Sequence, residues 1–303
     1  ADYSSVIDGL RSKFGTSIVP LVIPVKTDGK LTGLVDIVSM KAFEFKGAKE
    51  SQIPVSEDMK PEITAAHDTL FEAIAETDEQ MMNDYFDGKE FTPEEVEKGI
   101  KIGIRDGGIV PVFCGNVIDQ VGIGMFMYAI AKYMPSPADM GQITATDANS
   151  DDEIKLNPTD SEALSALVFK TIADPYVGKM SIFRVYSGVM KADSTVYNAN
   201  SGASEKIGHL YILRGKKQTE TSEITAGDIG ATTKLASTST GDTLCSSAKP
   251  IKLKGVDYPK PVISLAILPA AKGDEEKINL GLTKLREEDP TFRITNNTET
   301  HQT

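Results

Sequence analysis

The strongest constraint on the fold lies in the second half of the chain, where short alternating apolar stretches are cut at near-regular intervals by turn-forming residues. Pro175, Gly188, Asn200-Ser201-Gly202, Gly215, Gly227 and Gly241 mark the cuts. Alternation of period two puts every second side chain on one face of a strand, and Gly, Pro and Asn supply the reversals between strands. Residues 160–253 are therefore expected to form an all-β barrel. The flanking segments follow other patterns, so the 303 residues hold more than one domain.

Upstream, Val6, Ile7, Leu10 and Phe14 recur with helical spacing and Gly15 follows as a stop, which predicts a helix over 4–14. Ile18 to Val25 reads as one short buried strand, and Leu31 to Phe45 as a sheet segment around Gly33. From Met59 to about Ile104 the pattern becomes helical and acidic. Helix starts fall at Lys60-Pro61 and Thr92-Pro93-Glu94-Glu95, where Pro suits the first turn and carboxylates suit the positive end of the helix. Ile109 to Cys114 predicts a buried parallel strand, Gly115-Asn116 the turn that ends it, and Gly122 to Tyr133 an amphipathic helix halted by Pro135-Ser136-Pro137. Strand, tight turn and helix together make an edge at which α/β folds bind ligands.

Residues 138–160, rich in Asp, Asn, Thr and Gly and containing Asp151-Asp152-Glu153, read as a solvated connection into the next domain. Beyond the expected barrel, Val262 to Leu268, Asp274 to Glu288 and Thr291 to Ile294 predict a strand, a helix and a strand, the opening of a ferredoxin-like layer. The chain opens on Ala1 and closes on a polar string, and both ends read as cut from something longer.

Chemistry narrows by exclusion. No segment fits G-x-x-x-x-G-K-[ST], the loop whose backbone N–H groups and Lys cradle phosphates, and the glycines of Gly107-Gly108 and Gly122-Ile123-Gly124 lack its Lys-Ser/Thr ending. A net charge of −12 argues against DNA or other nucleic-acid binding by bulk charge, since that binding rests on Lys and Arg displacing counterions from phosphates. A local basic patch is a separate matter, and Lys206, His209, Arg214, Lys216 and Lys217 form one in an otherwise acidic chain. Read locally, these five residues make an ordinary solvated hairpin.

Cys114 and Cys245 stand far apart without CxxC spacing, so neither a zinc site nor a disulfide framework is expected and a reducing cytoplasm fits. His67 and His301 lack companions at metal-ligand spacing. No apolar run reaches the roughly 18 residues of a membrane helix, so no membrane contact is expected.

Asp174-Pro175-Tyr176-Val177-Gly178, Arg184-Val185-Tyr186-Ser187-Gly188, Ala226-Gly227-Asp228-Ile229-Gly230-Ala231 and Thr240-Gly241-Asp242-Thr243-Leu244 occur in this order and spacing. As a set they resemble the second domain of the ribosome-dependent translational GTPases, closest to the elongation factor G family. Glu287-Glu288-Asp289-Pro290-Thr291-Phe292-Arg293 is similar to that family's third domain. The resemblance implies a multi-domain α/β plus all-β architecture. Residues 1–138 would be the C-terminal part of a P-loop GTPase domain with an accessory insertion at about 27–104. Residues 139–255 would be a linker and β-barrel second domain, and 256–303 a truncated α/β third domain.

Cys114-Gly115-Asn116-Val117 falls where the family usually writes Gly-Ser-Ala, a loop whose N–H groups approach the guanine oxygen. The resemblance thus implies a cofactor contact through Gly115, Asn116 and Val117, with Ile118-Asp119-Gln120 departing from the usual Lys-Asn-Lys. It implies GTP and Mg²⁺ in an intact parent and none bound to this chain, which would be inactive alone. The implied partner is the ribosome, with Lys206, His209, Arg214, Lys216 and Lys217 as candidate rRNA contacts, and the implied role is translocation of tRNA and mRNA. A ribosome-protection or release-factor-like paralogue and a non-enzymatic protein or RNA interaction module stay open as alternatives.

Overall fold

The computed structural model describes residues 2–47, 49–174, 178–271, 273–297 and 303. It divides into two compact units, residues 1–135 and 136–303.

The first unit runs α1 (Tyr3–Phe14), β1 (Ile18–Pro20), β2 (Val22–Thr27), β3 (Lys30–Asp36), β4 (Lys41–Lys46), β5 (Lys49–Ile53), α2 (Lys60–Ala75), α3 (Glu79–Phe86), α4 (Pro93–Asp106), β6 (Val110–Val112) and α5 (Ile123–Tyr133). Helix α1 matches its sequence pattern: Asp2 accepts from the Ser5 N–H at its start and Gly15 ends it. Pro61 lies in the first turn of α2, and Thr92 with Glu95 forms a capping box on α4.

The run from Ile18 to Val25 is two strands, not the single strand expected. β1 pairs in parallel with β6, whereas β2 opens an antiparallel meander of order β2-β3-β4-β5. Leu21 is the pivot. Its N–H donates to the Val112 carbonyl at 3.0 Å and its own carbonyl accepts from the Ile37 N–H at 3.0 Å, so one residue serves both sheets. Strand β6 is less buried than its apolar run suggested, with Val110 43% exposed. Among the described residues β1 is its one strand neighbour, and a two-stranded parallel pair leaves an edge uncovered.

The two faces of the meander bury against different sets of residues. Ile23, Val35 and Ala42 pack with Ile63, Ile74 and Ile100 of α2 and α4. Val22 and Leu34 pack on the other side with Val121, Phe113 and Met125. The second set positions the Gly115 turn and the start of α5.

The second unit runs β7 (Ile143–Asp147), β8 (Glu153–Leu156), β9 (Ser165–Asp174), β10 (Gly178–Ser187), β11 (Met190–Lys191), β12 (Thr195–Asn198), β13 (Ala203–Lys206), β14 (Leu210–Arg214), β15 (Lys217–Thr221), β16 (Glu223–Ile224), β17 (Ile229–Thr233), β18 (Thr243–Cys245), β19 (Ile251–Leu253) and α6 (Glu275–Glu288). Eight strands form one antiparallel sheet of order β13-β12-β18-β9-β10-β17-β14-β15, and β11 pairs with β16. Val168, Phe183, Val196, Leu210 and Leu244 share one buried core, so strands from both halves of this sheet face the same interior and the sheet is rolled. The ladder has two ends, β13 and β15. Buried Glu205 of β13 ties the roll together, accepting from the Ala236 and Ser237 N–H groups at 3.2 and 2.6 Å and from the Thr238 hydroxyl at 2.9 Å. Pro175, Tyr176 and Val177, the centre of the first sequence motif, lie outside the described residues.

Residues 138–160 are not a solvated connection. β7 and β8 pair as a hairpin and β19 joins the far side of β7. Ala145 and Leu156 are buried with Leu167, Cys245 and Ile251, and Asp151, at φ 60, belongs to the intervening turn. The apolar positions Ile143, Ala145, Ile154 and Leu156 do alternate, but few of them stand among many polar neighbours.

Among the described residues, the expected opening of a ferredoxin-like layer shows its helix and no strand. Among the described residues, Val262 to Leu268 and Thr291 to Ile294 belong to no strand, and the Ile267 N–H donates to the Thr303 carbonyl at 2.9 Å. Val262 and Leu265 are 95% and 83% exposed. Helix α6 is anchored instead by buried Leu282 and by the Glu288 carboxylate, which accepts from the Ala173 N–H of β9 at 2.7 Å. Among the described residues no helix is long and apolar enough to cross a membrane.

Candidate functional site

Gly115, Asn116 and Val117 sit in a tight loop between β6 and α5. Asn116 and Val121 exchange backbone hydrogen bonds across it, Asn116 N–H to Val121 carbonyl at 3.0 Å and Val121 N–H to Asn116 carbonyl at 2.9 Å. The Asn116 side chain braces the interior of the loop. Its carbonyl oxygen accepts from the Ile118 and Asp119 N–H groups at 3.0 and 3.2 Å, and its amide donates to the Asp119 carboxylate at 2.7 Å.

Two glycines make the loop possible. A side chain at Gly115 would place its first carbon 2.7 Å from the Val121 carbonyl oxygen, and Gly122, at φ 78, begins α5 with Leu34 pressed against it.

This arrangement separates the three expected donors. The Asn116 N–H is committed to Val121, whereas the Gly115 and Val117 N–H groups have no acceptor among the described residues. Val117 and Ile118 hold their side chains out, 78% and 92% exposed, while Val121 is buried. The loop therefore offers a rigid, outward turn with spare backbone donors to an acceptor-bearing ligand edge. Asp119 was missed as a bracing residue, although an Asn followed three positions later by Asp is a readable turn signal. Burial pushes the Cys114 thiol beside the loop up to about 11, which disfavours its thiolate form.

The five basic candidates do not form one patch. Arg214 and Lys217 are directly opposite across the end of the β14–β15 hairpin, with Gly215 and Lys216 as its turn. Only Leu210 and Tyr211 of β14 pair with β17, so the rest of the hairpin extends past the sheet as a two-stranded arm. Arg214, Lys216 and Lys217 at its tip are exposed and have no acidic partner among the described residues.

His209 lies at the opposite end of β14, on the order of 15 Å from Arg214 at the rise of an extended strand. Its imidazole pairs with the Glu220 carboxylate, which raises its pKa by hydrogen bonding and charge. Lys206, exposed, closes β13 opposite Thr195, at the far end of the sheet order from β15. The structure thus gathers three of the five cations and sets His209 and Lys206 apart from them. Of the two other histidines, His67 stacks on Phe71 with ring centroids 4.0 Å apart, and His301 lies outside the described residues.

The rolled sheet is the part that comparison with known proteins identifies first. Residues 163–247 match the family model described as elongation factor G domain 2, and residues 258–303 match elongation factor G, domain III. A crystal structure of a protein from Thermus thermophilus superimposes on the whole chain with a TM-score of 0.83 and 27% sequence identity. The chain thus carries two segments that match elongation factor G domains. It spans 43% of the length of the Thermus protein it matches. Both family-specific domains fall in the second unit, so the basic arm is a feature of an elongation factor G second domain.

Proposed function

We propose that this chain supplies the guanine-contacting loop and a ribosome-docking arm of an elongation factor G-like GTPase that moves tRNA and mRNA. The proposal assigns residues 1–138 to the end of a GTPase domain with its insertion at about 27–104, residues 139–255 to the second domain and residues 256–303 to the third. The observation that carries it is the basic tip, three cations without an acidic partner among the described residues, on an arm of the second domain in a chain of net charge −12. Cations held clear of neighbouring acids are placed to neutralise RNA phosphates.

Toward GTP, the fit concerns the base only. Gly115 and Val117 have spare N–H donors in a rigid turn, suited to the carbonyl edge of guanine, and no phosphate loop is present in the sequence. The intact factor would hold the phosphates and Mg²⁺ with other residues. Bound GTP would supply the cleavable phosphoanhydride, while this chain's loop orients the base and its arm holds the factor on rRNA.

Asn116 and Val117 in place of Ser and Ala, followed by Ile118-Asp119-Gln120, favour a paralogue as the second reading. Replacing both Arg214 and Lys217 by Glu in the intact factor tests the docking role. Ribosome binding should weaken and the slope of log affinity against log salt should shrink by about 2. Unchanged binding with unchanged salt dependence would contradict it.

A further inference from the structure

We infer a binding site for a small organic cation in the cavity between α5 and the meander sheet, a site separate from the loop and the basic arm. The cavity has a volume of about 470 Å³, and its walls include Asp36, Phe43, Glu50, Phe113, Tyr128 and Tyr133. That size is in the range of small-molecule pockets. Tyr128, Ala129 and Tyr133 of α5 line one wall, and Asp36, Phe43 and Glu50 of the meander line another.

The charge of the lining selects the ligand. Among the described residues Asp36 and Glu50 are its only formally charged side chains, and no Lys or Arg lines it. Asp36 is held in place by the Val38 N–H at 3.2 Å and the Ser39 hydroxyl at 2.6 Å, which leaves further lone pairs for a donor. The Glu50 carboxylate has no hydrogen-bond or ion-pair partner among the described residues. An anion would meet two uncompensated carboxylates, and a neutral apolar molecule would leave them unused.

An ammonium on an aromatic or alkyl body satisfies both halves of the cavity, its charge at the carboxylates and its body on the rings. The neighbouring cation, Lys132, lies over the Tyr128 and Tyr133 rings at 5.6 and 5.4 Å and is itself countered by Glu97 at 3.6 Å. These two rings thus already receive one cation.

The test titrates 2-phenylethylammonium into the 303-residue chain and follows backbone amides by NMR. Saturable shifts at Val38, Gly124 and Met125 with a millimolar dissociation constant are expected. The neutral analogue 2-phenylethanol, and the ammonium with a Glu50→Gln variant, should each bind about fivefold more weakly, the size of one exposed charge contact. Glu50 is exposed, so the variant should keep the wild-type melting temperature, and Tyr128→Ala, also at an exposed position, provides a second weakened variant. A capped Phe-Lys dipeptide binding more tightly than the free amine would assign the cation to a peptide side chain, and weaker binding would assign it to a free amine. Absence of saturable shifts, or equal affinity for the alcohol and the ammonium, would overturn the inference. Neither result bears on guanine or ribosome binding, which use other residues.

Discussion

Asn116 and Val121 face each other across the loop before α5 and exchange both of their backbone hydrogen bonds, at 3.0 and 2.9 Å. That pairing closes a bridge over four residues and leaves the Val117 N–H without an acceptor among the described residues. Because Gly115 lies against the Val121 carbonyl, Gly115→Ala forces carbon and oxygen to 2.7 Å unless the bridge opens. The variant should lose about 1–3 kcal/mol of stability, the usual cost of overpacking. Thermal unfolding of the chain checks this, and wild-type stability would show that the loop yields freely.

The contact between His209 and Glu220 makes the arm's base sensitive to pH. Glu220 raises the His209 pKa in the folded protein, so its stabilising effect is complete below the unfolded value, about 6.5, and disappears as pH rises through the folded value. Both groups are exposed, so the effect on global stability is small. An NMR titration of the imidazole should give a midpoint above that of an unfolded His, and Glu220→Gln should return it to the ordinary range. An unshifted wild-type midpoint would contradict the pairing.

Ser181 is fully buried on β10 and its hydroxyl has no hydrogen-bond partner among the described residues. Its cross-strand neighbours are satisfied elsewhere, Thr171 by the Thr240 hydroxyl at 2.9 Å and Thr232 by the His209 carbonyl at 3.0 Å. Removing an unsatisfied buried hydroxyl also removes its desolvation cost, so Ser181→Ala should match or exceed wild-type stability by up to about 1 kcal/mol. Denaturant unfolding would contradict this if the variant were destabilised by a comparable amount.

How much of the molecule could be read beforehand followed from where the signals are local. Helix α4 announced itself through Thr92, Pro93 and Glu95, because caps act within one turn. The strands of the rolled sheet were visible through alternation and through turns at Gly188, Gly202 and Gly215, all of which adopt positive φ. The split at Leu21 was not visible, because it depends on Val112 and Ile37, far away in sequence. The β7–β8 hairpin was hidden by its acidic turn. Val262 to Leu268 has a strand's composition, but among the described residues it pairs in no strand, and its Ile267 N–H donates to the Thr303 carbonyl.

The candidate site shows the same division. The positions of Gly115, Asn116 and Val117 in a turn were legible from Gly-Asn before a helix, but which N–H remains free depends on the bridge to Val121. The basic run between Lys206 and Lys217 looked like one cluster in sequence. Strand geometry carried His209 to one end of β14 and Arg214 to the other, and Glu220 on the paired strand neutralised the first.

In the proposed function, this chain contributes a guanine-contacting loop to a nucleotide site whose phosphate-holding groups lie elsewhere in an elongation factor G-like protein. The most direct test of that role is titration of a fluorescent guanine nucleotide into the 303-residue chain and into the intact factor that contains it. Saturable, tight uptake is expected of the intact factor, weakened by Gly115→Ala, and no comparable uptake of the chain alone. Tight binding by the 303 residues alone, or an intact factor indifferent to Gly115→Ala, would contradict that role.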